Sequence, residues 1–87
     1  MGKKKILIVD DNLLIRTITN DLLKSQGYEV IEACDGNECI DKARKELFDL
    51  ILMDINMPGM SGIEAMKRVN KLEGHEKTPI IALTASI

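Results

Sequence analysis

Four short apolar runs alternate with three amphipathic segments, and this order constrains the fold more than any other feature of the chain. The runs are KILIV, YEVIEA, DLILMD and PIIALT, which begin at residues 5, 28, 49 and 79. KILIV and DLILMD are nearly continuous in apolar residues, as expected of strands buried on both faces. Strands that alternate with helices in this way predict an α/β domain, a parallel sheet with helices on its faces and right-handed crossovers.

The three amphipathic segments carry the start and stop signals of helices. The first covers residues 12–26, and Gly27 supplies a C-terminal stop. Asp35 and Ser61 stand at the expected N-caps of the second and third helices, each with a glutamate three residues on. Gly74 is the predicted end of the third helix. The predicted inward-facing residues are Ile15, Ile18 and Leu22 in the first helix, Ile40, Ala43 and Leu47 in the second, and Ile63, Met66 and Val69 in the third.

Length and composition exclude several classes of protein. A chain of 87 residues is one domain or part of one, and 45% apolar with 30% charged residues is the balance of a globular protein. A net charge of −2 gives no electrostatic footprint for direct contact with nucleic acid, and no apolar stretch is long enough for a membrane span. Cys34 and Cys39 lack a metal-ligand spacing and are expected as small buried thiols, which together with the absence of a signal peptide predicts a cytoplasmic protein.

Polar side chains stand at the carboxyl ends of three predicted strands. Asp10 and Asp11 end the first strand, Asp54 ends the third, and Thr84 ends the fourth. In open parallel sheets, ligands bind outside the carboxyl ends of the strands, at the point where strand order reverses. If the order is 2-1-3-4, the first and third strands are neighbours at that point, and the three aspartates converge.

Three converging carboxylates repel one another unless a hard divalent cation lies among them. Mg²⁺ suits such a site because it takes oxygen ligands and usually keeps water and phosphate oxygens in its coordination shell. With a hydroxyl such as that of Thr84 close by, the arrangement favours phosphoryl transfer. Asp54 would be the nucleophile and would form an acyl phosphate.

Simpler explanations exist for each of these residues taken alone. The pair Asp10 and Asp11 could serve only as a helix N-cap, and Asp54 could belong to ordinary turn chemistry before the Pro-Gly loop. Thr84 alone is uninformative. The joint placement of all four at neighbouring strand ends is what favours a phosphoryl-transfer site.

Three segments of the sequence resemble the receiver domain of two-component response regulators, of the kind found in chemotaxis regulators. These segments are ILIVDD from residue 6, LILMDINMPGMSGIEAM from residue 50, and PIIALTA from residue 79. The resemblance covers residues 4–87 and implies a flavodoxin-like, doubly wound parallel sheet of order 2-1-3-4. It also implies a phosphorelay function, in which a sensor histidine kinase phosphorylates Asp54 in a Mg²⁺-dependent reaction and so switches a downstream output. A receiver is a phosphoacceptor rather than an enzyme with a separate substrate.

The resemblance also implies roles for individual residues at the metal. Asp54 matches the phosphoacceptor, and Asp11 and Asp54 match the carboxylates that bind Mg²⁺ directly. Asp10 matches the acid that acts through a metal-bound water, and Asn56 matches the residue that contributes its backbone carbonyl.

Further roles are implied around the phosphoryl group. Thr84 matches the switch hydroxyl that moves to hold the phosphoryl group, and Ala85 matches the small residue that leaves room for it. Pro58 and Gly62 match the loop that shapes the pocket, whereas Ser61 stands where many members have aspartate.

One departure from the family pattern is large. The chain stops after the fourth strand, without the usual fourth helix, fifth strand with its lysine, and fifth helix, so the resemblance implies a single, incomplete receiver domain over residues 1–87. The fourth strand would then be an edge strand with Ile80, Ile81 and Leu83 uncovered on at least one side. Because apolar edges pair with other chains, we expect either that the missing segment is disordered or cleaved, or that a second copy covers the edge through strand addition or domain swapping.

Three other functions remain as alternatives. A phosphatase of the haloacid-dehalogenase type needs an acid two residues after its nucleophile, and Asn12 stands there if Asp10 is that nucleophile. Flavin or nucleotide binding is disfavoured because neither G-x-G-x-x-G nor G-x-x-x-x-G-K-[ST] is present. An incomplete receiver could also act as a phosphorylation-impaired interaction module. His75 is predicted to be a loop histidine and not a phosphodonor.

Overall fold

The computed structural model describes residues 2–83, which form one four-stranded parallel sheet of order β2-β1-β3-β4 with three helices. The strands are β1 (Lys5–Val9), β2 (Glu29–Ala33), β3 (Leu50–Asp54) and β4 (Ile80–Leu83), and the helices are α1 (Leu13–Ser25), α2 (Gly36–Lys45) and α3 (Gly62–Val69). The predicted α/β class, element sequence and strand order are confirmed.

Side-chain caps begin all three helices. Asn12 accepts a hydrogen bond from the N–H of the third residue of α1 at 3.1 Å, and Asp35 and Ser61 do the same for α2 and α3 at 2.8 and 3.2 Å. Gly27 follows α1 with φ +93°, a conformation that residues with a Cβ rarely adopt. The predicted end of α3 at Gly74 is wrong, because the helix ends at Val69 and is followed by turns.

The sheet face that packs against α2 and α3 contains most of the core. Alternate residues of β1 and β3 point to this face, as the two-residue period of a strand requires. The buried residues of this cluster are Leu7, Val9, Ala33, Cys39, Ile40, Ala43, Phe48, Ile51, Met53, Met57, Ala65 and Val69.

The opposite sheet face, beneath α1, has a much smaller core. Its buried residues are Ile6, Ile8 and Val30, and no residue of α1 is fully buried. The predicted inward-facing stripe of α1 is wrong, because Ile15, Ile18 and Leu22 are 39%, 58% and 60% exposed. The helical spacing correctly places these three residues on one side of α1, but among residues 2–83 no other element covers that side.

Three further sequence predictions differ from the structure. Leu47 lies beyond the end of α2 and Ile63 lies on the outer side of α3, and both are exposed, whereas Ala65 takes the inner position. Both cysteines are free thiols, but only Cys39 is buried. Of the three β4 residues expected to be uncovered, Ile81 and Leu83 are exposed, and Ile80 is partly buried against the larger core cluster.

His75 lies in the loop between α3 and β4, and it is completely buried. Its Nε2 lies 3.0 Å from the carbonyl oxygens of both Ala43 and Glu46, and its Nδ1 lies 2.9 Å from the Thr78 hydroxyl. Because carbonyls only accept hydrogen bonds, Nε2 carries a proton and donates it to these two oxygens. His75 thereby joins the loop to the last turn of α2.

Within the part of the chain that the structure describes, no helix has the length and apolar character needed to cross a bilayer.

Candidate functional site

The site lies at the carboxyl edge of the sheet, where β1 and β3 are neighbours. Val9 and Met53 are Cα partners at the ends of these two strands, so Asp10 and Asp54 follow them side by side. Helix α1 leaves β1 over one sheet face, and α2 and α3 pack on the other. The carboxylates therefore lie at the topological switch point, where parallel α/β sheets bind their ligands.

The structure brings Asp10, Asp11 and Asp54 together, as the sequence predicted. One carboxylate oxygen from each lies within 4.8 Å of the corresponding oxygens of the other two. Asp10 and Asp54 are 6% and 8% exposed, whereas Asp11 is exposed at the surface. Two buried acids and one accessible acid form a cluster that a ligand can reach from solvent.

Turn hydrogen bonds orient the two buried carboxylates. Oδ1 of Asp10 accepts a hydrogen bond from the N–H of Asn12 at 2.8 Å, and Oδ1 of Asp54 accepts one from the N–H of Asn56 at 3.0 Å. Each is a turn in which an aspartate accepts from the residue two positions later. Asp10 and Asp54 therefore both form turn hydrogen bonds and belong to the acidic cluster. The N–H of Asn56 lies directly beside this cluster.

The surroundings of the Asp54 carboxyl group shift its pKa. Burial raises its pKa above the usual aspartate value, and the negative charges of Asp10 and Asp11 raise it further. The hydrogen bond from the Asn56 N–H acts in the opposite direction. A cation that binds to the cluster therefore stabilises the ionised form of this carboxylate.

The loop after Asp54 returns closely over the end of β3. A Cβ on Gly62 would overlap with the Asp54 carbonyl oxygen and lie 2.9 Å from the Ile55 Cα, so this position requires glycine. The N–H of Gly62 donates to the Ile55 carbonyl at 3.0 Å. Pro58 is exposed in the loop, and Ser61 acts as the N-cap of α3. The first residue of α3 is thereby fixed against the acidic strand end.

A polar contact beneath the cluster was not predicted from the sequence. Arg16 donates from Nη1 to the backbone carbonyl of Asp10 at 2.7 Å and from Nε to the carboxylate of Glu32 at 2.8 Å. Glu32 in the middle of a strand was the available signal, since a partly buried carboxylate requires a partner.

The two predicted residues Thr84 and Ala85 lie outside the described residues. Leu83, the residue before them, is the Cα partner of Asp54, and its carbonyl accepts from the N–H of Ile55 at 3.1 Å.

The residues of the cluster fit a Mg²⁺ ion. Oxygens that share one Mg²⁺ at about 2.1 Å from the metal lie about 3 to 4 Å apart, so the cluster needs only a small closure. Among residues 2–83, no lysine or arginine forms an ion pair with any of the three carboxylates. The donor set, all oxygen and all anionic, is the kind that Mg²⁺ prefers.

Fold and site together define a parallel α/β domain that carries a cation-binding acidic cluster at its switch point. The family model described as response regulator receiver domain matches residues 6–87. The chain therefore belongs to the receiver domain family, and it is a phosphoacceptor module of two-component signalling. Domains of this family receive their phosphoryl group from histidine kinases and bind Mg²⁺ in the active site.

This chain covers very different shares of two curated relatives. The chain is 40% identical over 85 residues to sporulation initiation phosphotransferase F of Bacillus subtilis, with 98% of this chain and 67% of the relative covered. It is 46% identical over 83 residues to the CAI-1 autoinducer sensor kinase/phosphatase CqsS of Vibrio cholerae, with 94% of this chain but only 12% of that protein covered.

Solved structures show the same fold. Chemotaxis protein CheY4 of Vibrio cholerae superposes with a TM-score of 0.95 at 42% identity, over 99% of this chain and 72% of that one. The receiver domain of the sensor histidine kinase PA1611 of Pseudomonas aeruginosa gives 0.92 at 35% identity, over 98% and 70%. That structure has a magnesium ion coordinated in its active site cleft.

Proposed function

We propose that Asp54 is the phosphoryl acceptor of this domain and that a sensor histidine kinase is the donor. The observation that carries the proposal is the convergence of Asp10, Asp11 and Asp54 within 4.8 Å at the switch point of the sheet. Asp54 is the last residue of β3 and directly precedes the loop that leads to α3.

The transfer is a substitution at phosphorus. A carboxylate oxygen of Asp54 attacks the phosphorus of a phosphohistidine, a new P–O bond forms, and the P–N bond breaks. The electron pair of that bond remains on the imidazole nitrogen, which leaves as neutral histidine after taking a proton. The Asn56 N–H fixes the orientation of Asp54 through Oδ1, which reduces the freedom lost on the way to the transition state.

We assign the metal ligands to the residues around Asp54. Asp11 and Asp54 would hold Mg²⁺ directly, Asp10 through a bound water, and Asn56 through its backbone carbonyl. When bound, the ion neutralises the carboxylates and the phosphoryl oxygens, so that two anionic groups can approach. We further propose Thr84 as the hydroxyl that holds the phosphoryl group and Ala85 as the small neighbour that leaves room for it.

In this proposal the domain acts as a switch and not as an enzyme with a separate substrate. The chemistry it contributes is limited to its own phosphorylation and dephosphorylation, and the phosphoryl group biases an equilibrium between two conformations. The two free thiols agree with a reducing compartment, and we place the domain in the cytoplasm with the kinase.

Replacement of Asp54 tests the assignment. Asp54→Asn should abolish covalent labelling by a small-molecule phosphodonor in the presence of Mg²⁺, measured by intact mass. Asp21→Asn is the matched control, because Asp21 is exposed on α1, and it should be labelled like the unmodified protein. Asp11→Asn should mainly raise the Mg²⁺ concentration needed for labelling. Persistent label in Asp54→Asn would contradict the assignment.

A second function is favoured by the exposed apolar residues of β4. Ile81 and Leu83 are 50% and 37% exposed on an edge strand whose backbone can pair further. We propose that a second copy of the chain occupies this edge, by strand addition or by domain swapping. The domain would then also act as an interaction module whose assembly does not require phosphorylation.

A further inference from the structure

Arg16 of α1 is held beneath the acidic cluster in a fixed orientation. Only 15% of its side chain is exposed, and two of its three guanidinium nitrogens donate hydrogen bonds. Nη1 donates to the backbone carbonyl of Asp10 at 2.7 Å, and Nε donates to Glu32 at 2.8 Å. A planar fork can satisfy two acceptors at once, which a lysine ammonium at the same place cannot do with the same geometry.

The anchor of Arg16 is itself supported from α1. The second carboxylate oxygen of Glu32 accepts a hydrogen bond from Asn20, which lies one helical turn after Arg16. Glu32 thus connects β2 to two successive turns of α1. The guanidinium is therefore positioned before any ligand arrives, and its side-chain entropy is lost on folding and not on binding.

Hydrogen bonds fix both the N–H and the carbonyl of Asp10. Its N–H donates to the carbonyl of Ala33 at 3.1 Å, and its carbonyl accepts from Arg16. The carbonyl of Asp10 belongs to the peptide group that also contains the N–H of Asp11. The orientation of this peptide determines where the exposed Asp11 carboxylate lies relative to the buried Asp54.

We propose that Arg16 is a positioning residue for the Mg²⁺ site, which acts through the Asp10–Asp11 peptide and is itself held by Glu32. The inference rests on the proposed function, since it assumes that the acidic cluster binds Mg²⁺. Arg16 would thus favour Mg²⁺ binding through its position, although its positive charge repels the ion.

The charge of Arg16 and its position have opposite effects on Mg²⁺ affinity. If only its charge mattered, removal of a nearby positive charge would strengthen Mg²⁺ binding. If its position matters more, removal would weaken binding, because groups that orient metal ligands contribute about 10- to 100-fold to metal affinity. The direction of the change therefore distinguishes the two effects.

The test measures Mg²⁺ affinity by titration calorimetry for Arg16→Gln, Arg16→Lys and a control. We expect about tenfold weaker binding for both Arg16 variants, although lysine keeps the charge. The control is Arg68→Gln, which removes an equally charged residue in the last turn of α3 that pairs with the exposed Glu64. It should change the affinity by less than about twofold.

A second measurement, by NMR, tests the hydrogen bond between Arg16 and the Asp10 carbonyl in the absence of Mg²⁺. Loss of the hydrogen bond to the Asp10 carbonyl should shift the amide resonance of Asp11 in NMR spectra of both Arg16 variants recorded without Mg²⁺, and not in Arg68→Gln. If Arg16→Gln fails to fold, Arg16→Lys and Glu32→Gln carry the test, the latter with an intermediate loss of affinity because it only weakens the anchor.

The outcomes separate this inference from the proposed function. Equal or tighter Mg²⁺ binding in the Arg16 variants, with normal binding by the unmodified protein, would overturn the role of Arg16 and leave the phosphoacceptor assignment intact. Absence of Mg²⁺ binding by the unmodified protein would overturn both. Weaker binding with an unchanged Asp11 amide would also overturn the role, because the contact would not be the cause.

Discussion

The two faces of the sheet differ sharply in how much they bury. Among residues 2–83, the cluster between the sheet and helices α2 and α3 contains twelve buried residues, whereas the cluster on the α1 face contains three. No residue of α1 is fully buried, although α1 is the longest helix of the three. The comparison indicates that the α2 and α3 side supplies most of the stability, while the α1 side retains apolar surface that other groups can cover.

The largest expected effect contrasts one leucine from each face. Leu7→Ala should reduce the free energy of unfolding by about 3 kcal/mol, because Leu7 is completely buried on the α2 and α3 side. Leu22→Ala should cost less than about 0.5 kcal/mol, because 60% of Leu22 is already in solvent. Denaturant unfolding measures both.

If Leu7→Ala does not fold, a pair of smaller substitutions can still compare the stability contributions of the two faces. Ile51→Val should cost about 1 kcal/mol on the α2 and α3 side, and Ile18→Val close to nothing on α1. Equal losses in either pair would show that the two faces contribute alike.

A middle-sized effect is expected at the carboxyl edge, where function opposes stability. In Mg²⁺-free buffer at neutral pH, Asp54→Asn should raise the free energy of unfolding by about 1 kcal/mol, as commonly found when a strained functional residue is relieved. Asparagine keeps the oxygen that accepts from Asn56 and removes the repulsion by Asp10 and Asp11.

The sign of the pH dependence follows from the raised pKa of Asp54. Folding raises this pKa, so protonation of Asp54 favours the folded state. The advantage of Asp54→Asn is therefore complete above the folded-state pKa and shrinks as pH falls through it. Thermal unfolding of both proteins across this range measures the difference, and an advantage that grows at lower pH would contradict the cause.

The smallest effect on stability is expected at β4, where the effect on assembly is large. Ile81→Lys should change the free energy of unfolding by less than about 0.5 kcal/mol, because Ile81 is half exposed, but it should abolish self-association measured by light scattering. Ile63→Lys is the control, since Ile63 is similarly exposed on α3 and should leave assembly unchanged. A monomeric unmodified protein would exclude the second copy as occupant of this edge.

Local sequence signals predicted the fold well because its determinants are local. Asp35 and Ser61 are caps that can be recognised from a few neighbouring residues, and both accept the expected hydrogen bonds. Strand order did not follow from these local signals, because 2-1-3-4 entered as an assumption that the resemblance to receiver domains then implied. Given that order, the rule that ligands bind at the switch point of a parallel sheet predicted the convergence of Asp10, Asp11 and Asp54.

Features that depend on distant partners could not be predicted in this way. The stripe of Ile15, Ile18 and Leu22 has a helical period, but the period does not say whether anything covers it. His75 looked like an ordinary loop residue, because its acceptors, Ala43 on α2 and Glu46 directly after α2, are 32 and 29 positions away. Arg16 and Glu32 are likewise 16 residues apart, and they come into contact because β2 pairs with β1 and α1 packs against β2.

The close approach of Gly62 to the end of β3 has a practical consequence for spectroscopy. The Gly62 N–H donates a hydrogen bond to the carbonyl of Ile55, the residue directly after Asp54, and the Gly62 Cα lies where no side chain would fit. The Gly62 resonance is therefore a built-in reporter, in a spectral region where glycines are easily recognised. Titrations with cation or phosphodonor could be followed on that single peak without attaching any dye to the protein.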